Sequence, residues 1–321
     1  MKKKFIILII VTVIVITAVT VPLVIFNTRA PVLIVLEEYF IEIYGEKRLE
    51  REVFHLSLTL FRSVKIVTIA NEAGDDIIPY AVMDASARPY CVFFPIRLVV
   101  SAGVYRELNP NVNIVILEGR SLEERNPSDY FLYKTDIDTD FYKAGLAAAA
   151  IVANYNAAQS TKNQLLELQY QLEPEPKPPY EPKPENNGKA AVFVEPHIYS
   201  EAKEAFLRGF NQEIQVEPLF FTSFIDISNT EDLACVVLAG IGGELLEKIP
   251  ETHVIVFSWM DPEMMPTNVL LVIDDSPLAQ VTQAIRMINA GEALGIFPSK
   301  LIVMNYKGTD RDLLKKLKKI R

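Results

Sequence analysis

The sequence predicts an α/β fold with two doubly wound parallel-sheet lobes, and three observations support this class. Apolar strands alternate with amphipathic helices along most of the chain, which is the pattern of parallel sheets with right-handed crossovers. The strands are continuous apolar runs, such as Val269 to Ile273, as expected where helices cover both faces of a sheet. The chain of 321 residues is long enough for two domains with separate cores.

The chain opens with three lysines, Lys2 to Lys4, followed by an uninterrupted apolar run from Phe5 to Phe26. This run is long enough for a bilayer core, which needs about 20 residues. It is also longer than the hydrophobic part of a cleaved signal peptide, about 7–15 residues. Because the lysines favour a cytoplasmic N-terminus, we expect residues 1–30 to be one uncleaved transmembrane helix. It would anchor the chain in the cytoplasmic membrane, with the globular part in the periplasm or at the cell surface.

Strands and helices alternate through the next hundred or so residues, beginning with a strand from Val32 to Leu36. Parallel strands need helical crossovers, and this order supplies them. Further strands are predicted at 64–70, 89–95, 113–117 and 131–134, and helices at 46–61, 77–83 and 96–108.

A helix in the middle of the chain is predicted to open the second lobe. Thr135 to Asp140 offers capping groups and negative charge at its start, which suits a helix N-terminus. Its body, Phe141 to Val152, is crowded with alanine. This composition predicts close packing of the helix on a sheet around Gly145.

Residues 159–188 differ in kind from the rest of the chain. Their first part is compatible with an extension of the helix, but the sequence EPEPKPPYEPKPENNG carries six prolines alternating with charges. Such a composition cannot bury enough apolar surface to order itself. We expect a disordered insertion that serves as a spacer rather than as a motif for a proline-binding partner.

The α/β pattern resumes at Lys189. Its clearest helix has apolar residues spaced by three and four, from Leu278 to Ile288, with Pro277 at its start and Gly291 past its end. The other elements are strands at 190–196, 216–222, 235–239, 254–257, 269–273 and 300–304, and helices at 200–212 and 243–249.

These elements divide into lobes at two crossovers. Residues 31–137 and 274–306 are assigned to the first lobe, and residues 138–273 to the second. Residues 307–321 form a basic tail with seven basic and two acidic side chains. A solvated terminal helix is the favoured interpretation of the tail, with binding to anionic lipid as the alternative.

Composition and motifs exclude several classes of function. The net charge of −9 argues against a nucleic-acid surface, which needs a concentrated basic face. Cys91 and Cys235 lie in apolar runs and are predicted core residues, and the three histidines lack metal-ligand spacing. The sequence has neither a Gly-x-Ser-x-Gly nucleophile motif nor a phosphate-binding glycine loop. We therefore expect no enzyme, no catalytic residue, no metal and no cofactor.

Three segments carry a family resemblance: FYKAGLAA from Phe141 to Ala148, the pair Gly209-Phe210, and the loop acid Asp261. With these three segments in this order, the sequence resembles a type I periplasmic binding protein. The resemblance is strongest to the basic membrane protein and purine nucleoside receptor branch. The resemblance implies two lobes that close by a hinge on a small polar ligand, a nucleoside or a sugar. It also implies delivery to an ABC-type permease in the same membrane.

Ligands of open α/β sheets bind at the carboxyl ends of the strands, and these ends supply the candidate site. Aromatic side chains offer stacking surface, and charged groups offer strong hydrogen bonds. Asp261 equally suits a turn before Pro262, and Asp274 and Asp275 suit a hinge. The predicted ligand-binding residues are Asp261, Trp259, Tyr39, Phe94, Arg97, Glu118, His197 and Gly240.

Several of these residues also have a structural interpretation. Trp259 suits an interlobe core, Phe94 and Tyr39 suit packing, Arg97 suits capping of a local acidic group, and His197 suits a surface loop. The chain accordingly has a second functional hypothesis, a ligand-free scaffold or sensor with the same fold.

Overall fold

The computed structural model describes most of the globular part of the chain. The predicted anchor, apart from residues 28–30, lies outside the described residues, as does most of the predicted helix at 243–249. No helix among the described residues is both long and apolar enough to cross a membrane. The described residues are 28–119, 130–172, 188–223, 233–239, 246, 249–250, 252–258 and 260–320.

The strands and helices follow one another in α/β order. The strands are β1 (Val32–Glu37), β2 (Val64–Ile69), β3 (Cys91–Pro95), β4 (Asn113–Gly119), β5 (Phe131–Thr135), β6 (Lys189–Phe193), β7 (Leu219–Phe221), β8 (Leu233–Ala239), β9 (His253–Phe257), β10 (Val269–Asp274), β11 (Leu294–Phe297) and β12 (Lys300–Val303). The helices are α1 (Glu38–Tyr44), α2 (Glu46–Leu60), α3 (Ile78–Ala85), α4 (Val99–Leu108), α5 (Ile137–Leu172), α6 (Tyr199–Phe210), α7 (Pro277–Ala290) and α8 (Arg311–Leu317).

The described strands form two six-stranded sheets with the same arrangement. Their orders are β2-β1-β3-β4-β5-β11 and β7-β6-β8-β9-β10-β12. In the first sheet β1 runs parallel to β2 and β3, and in the second β6 runs parallel to β7 and β8. Each sheet thus begins with the 2-1-3-4-5 order of a doubly wound fold. The predicted class of two parallel-sheet α/β lobes is confirmed.

The chain divides into two compact units, each discontinuous in sequence. Among the described residues, the first unit contains 28–119, 130–133 and 280–295, and the second contains 134–279 and 296–320. The prediction placed the closing strand in the first lobe. Instead, β12 pairs antiparallel with β10, with Leu271 opposite Val303. The apolar sequence of this strand does not indicate which of the two sheets it joins.

Two short elements were absent from the prediction. Helix α1 is rich in aromatic and β-branched residues, which have low helix propensity, but burial of Phe40 and Tyr44 stabilises it. Strand β11 is only four residues long. In both cases tertiary packing outweighs a weak local signal.

Helices α5 and α6 cross at two glycines. A Cβ on Gly145 would lie 2.2 Å from the backbone oxygen of Phe206, and one on Gly209 would lie 2.1 Å from that of Tyr142. The two backbones therefore meet without side chains between them. The prediction of close packing around Gly145 named a sheet as the partner, but the close partner at this glycine is helix α6.

Helix α5 continues much further than the predicted start of the insertion. It runs without interruption to Leu172, so residues 159–172 are helical and the prediction of disorder for them is wrong. Its polar residues there include good helix formers, which explains the extension. Residues 173–187, with all six prolines, lie outside the described residues.

The basic tail is also ordered up to Ile320. Asp310 caps α8 by accepting hydrogen bonds from the N–H groups of Asp312 and Leu313, at 2.7 and 2.9 Å. Leu313 and Leu317 are buried in the same apolar core as α5. The tail is therefore an amphipathic helix that closes one side of the second unit, rather than a solvated terminal helix.

We predict that Gly209→Ala destabilises the second unit. A methyl group cannot fit at 2.1 Å from a carbonyl oxygen, so the helices must separate, at a cost of about 1–3 kcal/mol in unfolding free energy. Urea denaturation measures this loss. Gly103→Ala, in α4, is the matched control because its Cβ would meet only the hydroxyl of Tyr130, at 3.3 Å. Equal stability of the two variants would contradict the prediction.

Candidate functional site

In the first sheet the chain passes from β1 to β2 on one side and from β3 to β4 on the other. The boundary between β1 and β3 is therefore a topological switch point. Ligands of doubly wound sheets bind outside the carboxyl ends of the strands at this position. β1 ends at Glu37, and Arg97 follows the end of β3 by two residues. The carboxylate of Glu37 accepts a hydrogen bond from the guanidinium of Arg97, and the two form an ion pair. The predicted site residue Arg97 therefore does lie at the switch point.

The two members of this pair differ in their access to solvent. The side chain of Glu37 is 13% exposed, whereas that of Arg97 is 61% exposed. The guanidinium thus covers the carboxylate from the solvent side and keeps much of its own surface available. A guanidinium presents five N–H donors in a planar fork, so Arg97 has donors beyond those that one carboxylate oxygen accepts.

Glu37 was missed as a site residue. It is the last residue of a strand whose other five residues are buried, and it precedes α1 directly with a backbone in the extended region. The available signal was this position at the end of the first strand.

Other polar groups follow the strands at the same carboxyl edge. After β2, Asn71 Oδ1 accepts a hydrogen bond from the backbone N–H of Tyr39, at 2.8 Å. Asp75 Oδ1 accepts one from the hydroxyl of Ser101, in the first turn of α4, at 2.5 Å. Hydroxyl, amide and carboxylate groups at one sheet edge suit a ligand that both donates and accepts hydrogen bonds. Neither Asp75 nor Ser101 was singled out from the sequence, although the first follows a predicted strand.

The other three predicted ligand-binding residues of the first lobe lie in different environments. Phe94 is fully buried in the apolar core and contacts the ring of Tyr105, with centroids 6.0 Å apart. Burial raises the pKa of Tyr105 to about 12. The ring of Tyr39 lies on α1 and is partly exposed. Glu118 belongs to β4, but its side chain lies outside the described ones.

The second unit has its own switch point between β6 and β8. His197 lies just after β6, in a single 3₁₀ turn from Pro196 to Ile198, and is exposed. Gly240, which follows β8, lies outside the described residues. The edge also carries Lys203, whose ammonium is 5.8 Å from the ring centre of Tyr199.

The loop after β9 was the main predicted ligand loop. Trp259 lies outside the described residues. Asp261 begins a 3₁₀ turn at Pro262, and its Oδ1 accepts the backbone N–H of Glu263 at 3.0 Å. Ser258 likewise accepts the N–H of Met260, at 3.0 Å. Asp261 therefore has the turn-forming position that the sequence offered as an alternative.

Asp274 is the last residue of β10, and Asp275 lies between β10 and the start of α7. Asp274 is buried, and its Oδ1 accepts the backbone N–H of Ser276 at 3.1 Å. The first of the two units takes up the chain again at Gln280. The position is compatible with a hinge, which stays a prediction.

Two acidic residues at the start of α5, Asp136 and Asp138, make hydrogen bonds that stabilise this helix end. Asp136 accepts hydrogen bonds from the N–H and the hydroxyl of Thr139, at 2.9 and 2.7 Å. It caps the helix in the way that the sequence predicted. Asp138 binds the same Arg208 nitrogen through both carboxylate oxygens, each at 2.6 Å, and so links α5 to α6.

A third acid at this helix start, Asp140, is buried. Its two oxygens accept the N–H and the hydroxyl of Ser299, at 2.8 and 2.5 Å. Ser299 lies in the short connection between β11 and β12. Burial is the largest influence on this carboxyl, and it raises the pKa of Asp140 to about 7, against the opposing hydrogen bonds and Lys143.

Thiols and metal-ligating groups form no further site in the described part of the chain. Both cysteines are fully buried, as predicted, and burial raises the pKa of each thiol. Groups of three or more His, Cys, Asp or Glu side chains placed to hold a metal ion are absent from the described residues.

Comparisons with known proteins bear on the fold. No family model matches the sequence, and no curated protein is detectably similar to it. Among solved structures, a transcriptional activator of the comK gene from Bacillus halodurans superposes with a TM-score of 0.57 at 11% identity, over 90% of this chain and 94% of that one. The chain shares the fold of that protein.

Two other solved structures match at lower scores. An ABC transporter solute-binding protein from Aeropyrum pernix K1 has a TM-score of 0.49 at 11% identity, over 90% of this chain and 85% of that one. A periplasmic binding protein/LacI transcriptional regulator from Alkaliphilus metalliredigens QYMF, complexed with D-xylulofuranose, has a TM-score of 0.47 at 10% identity, over 86% and 100%.

We predict that Asp140 makes stability depend on pH between about 4 and 7. Its pKa is higher in the folded protein than in the unfolded chain, so the folded state binds the proton more tightly, and unfolding free energy falls as pH rises through this window. The slope is at most about 1.4 kcal/mol per pH unit for one proton. Asp140→Asn removes this contribution.

The measurement is urea denaturation at several pH values, with the difference between the two proteins taken at each. The contributions of the other carboxyl groups to the unfolding free energy are the same in both proteins and cancel in this difference. A constant difference from pH 4 to 7 would rule out the shifted carboxyl.

Proposed function

We propose that this chain is an extracytoplasmic, membrane-anchored solute-binding protein whose two lobes close on a small polar ligand, a sugar or a nucleoside, for an ABC-type permease. The observation that carries the proposal is the polar switch point of the first unit, where Glu37 and Arg97 lie at the ends of β1 and β3. Asn71, Asp75 and Ser101 extend this set along the same edge.

The chemistry of this edge suits a polyhydroxylated ligand. Sugars and nucleosides carry hydroxyl groups, which can donate hydrogen bonds to carboxylate and amide oxygens and accept them from amide and guanidinium N–H groups. Hydrogen bonds to charged groups contribute about 1.5–3 kcal/mol each. An exposed guanidinium that is already oriented by a carboxylate loses little side-chain freedom on binding, which favours affinity.

The proposal extends to the membrane and to the transporter. The lysines and the apolar run at residues 2–26 have the length and charge of a transmembrane anchor. An anchored binding protein would keep its ligand close to a permease in the same membrane. No catalytic motif competes with this function in the sequence.

A ligand-free scaffold is the second candidate, and one observation favours it. The guanidinium of Arg97 is already paired with the carboxylate of Glu37, so the positive and negative charges of these two side chains balance each other. A scaffold would retain this pair for stability and bind a protein instead of a small molecule.

We predict that a sugar or a nucleoside stabilises the full-length protein in a thermal-shift panel. A ligand at 100 times its dissociation constant adds about 2.7 kcal/mol to the unfolding free energy. Native mass spectrometry of the same sample detects any retained compound. No retained compound, and no shift with any member of the panel, would favour the scaffold.

For the compound that stabilises the protein, we predict that Arg97→Ala lowers affinity by about tenfold or more, the loss of one charge-assisted hydrogen bond. Titration calorimetry measures the change. Arg51→Ala, an exposed arginine on α2, is the control and should bind as the natural protein does. Equal affinity of both variants would remove Arg97 from the site. Trp259→Ala and Asp261→Ala test the predicted loop in the same assay.

A further inference from the structure

Helices α3 and α4 of the first unit carry an apolar surface on their outer sides. Both helices bury their inner side chains in one core cluster against the first sheet, so their outer sides belong to the same surface. Five large apolar side chains on this surface are between 37% and 60% exposed. They are Ile77, Tyr80, Met83, Val100 and Leu108, and we call them the α3–α4 patch.

Residue spacing makes this patch continuous. Its three members on and directly before α3 are spaced by three residues, so they follow one side of that helix. Its two members on α4 are eight residues apart, with the half-buried Val104 midway between them, and these positions share one side of a helix. The two helices contact each other. The patch therefore extends from one helix to the next without interruption.

The composition of α3 is unusual for a surface helix. Its eight residues, Ile78–Ala85, include a single charged side chain, Asp84. A surface helix normally has a polar outer side, whereas a helix that is apolar on all sides is normally buried. The inner side of α3 is buried in the core of the first unit, but Tyr80 and Met83 remain outside it. This composition indicates that a partner covers the outer side.

The area of the patch matches that of a stable interface. A specific interface buries about 800 Å² on each partner, of which about 57%, or about 450 Å², is apolar. At about 200 Å² for a fully exposed large side chain, the five side chains of the patch expose about 500 Å². Monomeric proteins rarely expose a contiguous apolar patch of more than a few hundred Å². The patch can therefore supply the apolar part of a protein–protein interface.

The distribution of charge favours a second copy of the chain as the partner. The sequence has no charged residue from 77 to 83 or from 98 to 105. The exposed acids Asp84 and Glu107 follow these stretches, in the last turn of each helix, and so lie at one margin of the patch. Two molecules that each carry a net charge of −9 associate most easily through a surface that brings few like charges together.

Other occupants fit this surface less well. A strongly charged protein partner would require charges of the opposite sign on the patch. A membrane surface would require basic side chains among the apolar ones. Tyr80 and Met83, by contrast, are of residue types that are enriched in the cores of protein–protein interfaces.

We propose that the α3–α4 patch is a homodimer interface, in which two copies of the chain pair around a twofold axis. In such a contact the same surface of each copy faces the other, so each residue of the patch is buried twice. The proposal rests on one side of the first unit alone. It depends neither on the ligand nor on the membrane anchor proposed above.

Sedimentation velocity of the full-length protein in detergent, over a series of protein concentrations, tests this interface. We expect the natural protein to be dimeric. Tyr80→Arg and Val100→Arg each place two buried charges in the dimer, one from each copy. Loss of a central interface residue commonly weakens binding more than tenfold. Since the change occurs in both copies, each variant should raise the dissociation constant of the dimer about hundredfold or more.

Phe54→Arg is the matched control. Phe54 is an exposed aromatic residue on α2, which contributes no residue to the core cluster under the patch, and this variant should dimerise as the natural protein does. The melting temperature of each variant shows whether it is folded. If Tyr80→Arg does not fold, Val100→Arg carries the test on the neighbouring helix.

Three outcomes would overturn the proposal. A natural protein that is monomeric at every concentration has no homodimer interface. A dimer that neither Tyr80→Arg nor Val100→Arg weakens is held together by another part of the chain. Equal weakening by Phe54→Arg shows that the contact is not specific to the patch. A failed ligand screen changes none of these results.

Discussion

The second unit depends on the contact of two helix backbones at Gly145 and Gly209. Because neither residue has a side chain, α5 and α6 approach until a methyl group would overlap a carbonyl oxygen. Phe206 and Phe210 lie one turn apart on α6, and their rings stack with centroids 5.6 Å apart. Both rings are buried in one core with alanines of α5, strands of the second sheet, and Leu313 and Leu317 of α8.

The acidic residues at the start of α5 show how one short segment serves three structural purposes. Asp136 satisfies the free N–H groups of the helix end, Asp138 reaches an arginine on α6, and Asp140 is buried against the β11–β12 connection. All three have the same side chain. Asp136 precedes the first helical residue, whereas Asp138 and Asp140 lie about 200° apart around the helix and therefore point to opposite sides of it. Only the first of these purposes is visible as a local pattern.

The sequence was a good guide to the elements and a poor guide to their partners. Continuous apolar strands and three-and-four spacing predicted nearly every strand of both sheets, because burial on both faces dictates composition locally. The partner of β12 and the helix partner of Gly145 depend on contacts between distant residues, which leave no periodic signal. At the site, Arg97 was predicted because it follows a strand. Glu37 ends the first strand and so carried a similar signal, but its ion pair with Arg97, 60 residues further along the chain, leaves no local pattern. Asp261 had two predicted roles with the same sequence pattern; its hydrogen bond with the N–H of Glu263 shows the turn-forming role, and ligand contact stays a prediction.

The discontinuity of both units has a consequence for synthesis of the chain. The first sheet receives its last strand, β11, from residues 294–297, and the second receives β12 and α8 only after residue 300. A ribosome must therefore release almost the entire polypeptide before either core can be completed. Neither half can be excised by a single cut and expected to fold, because each unit contains segments from both ends of the chain.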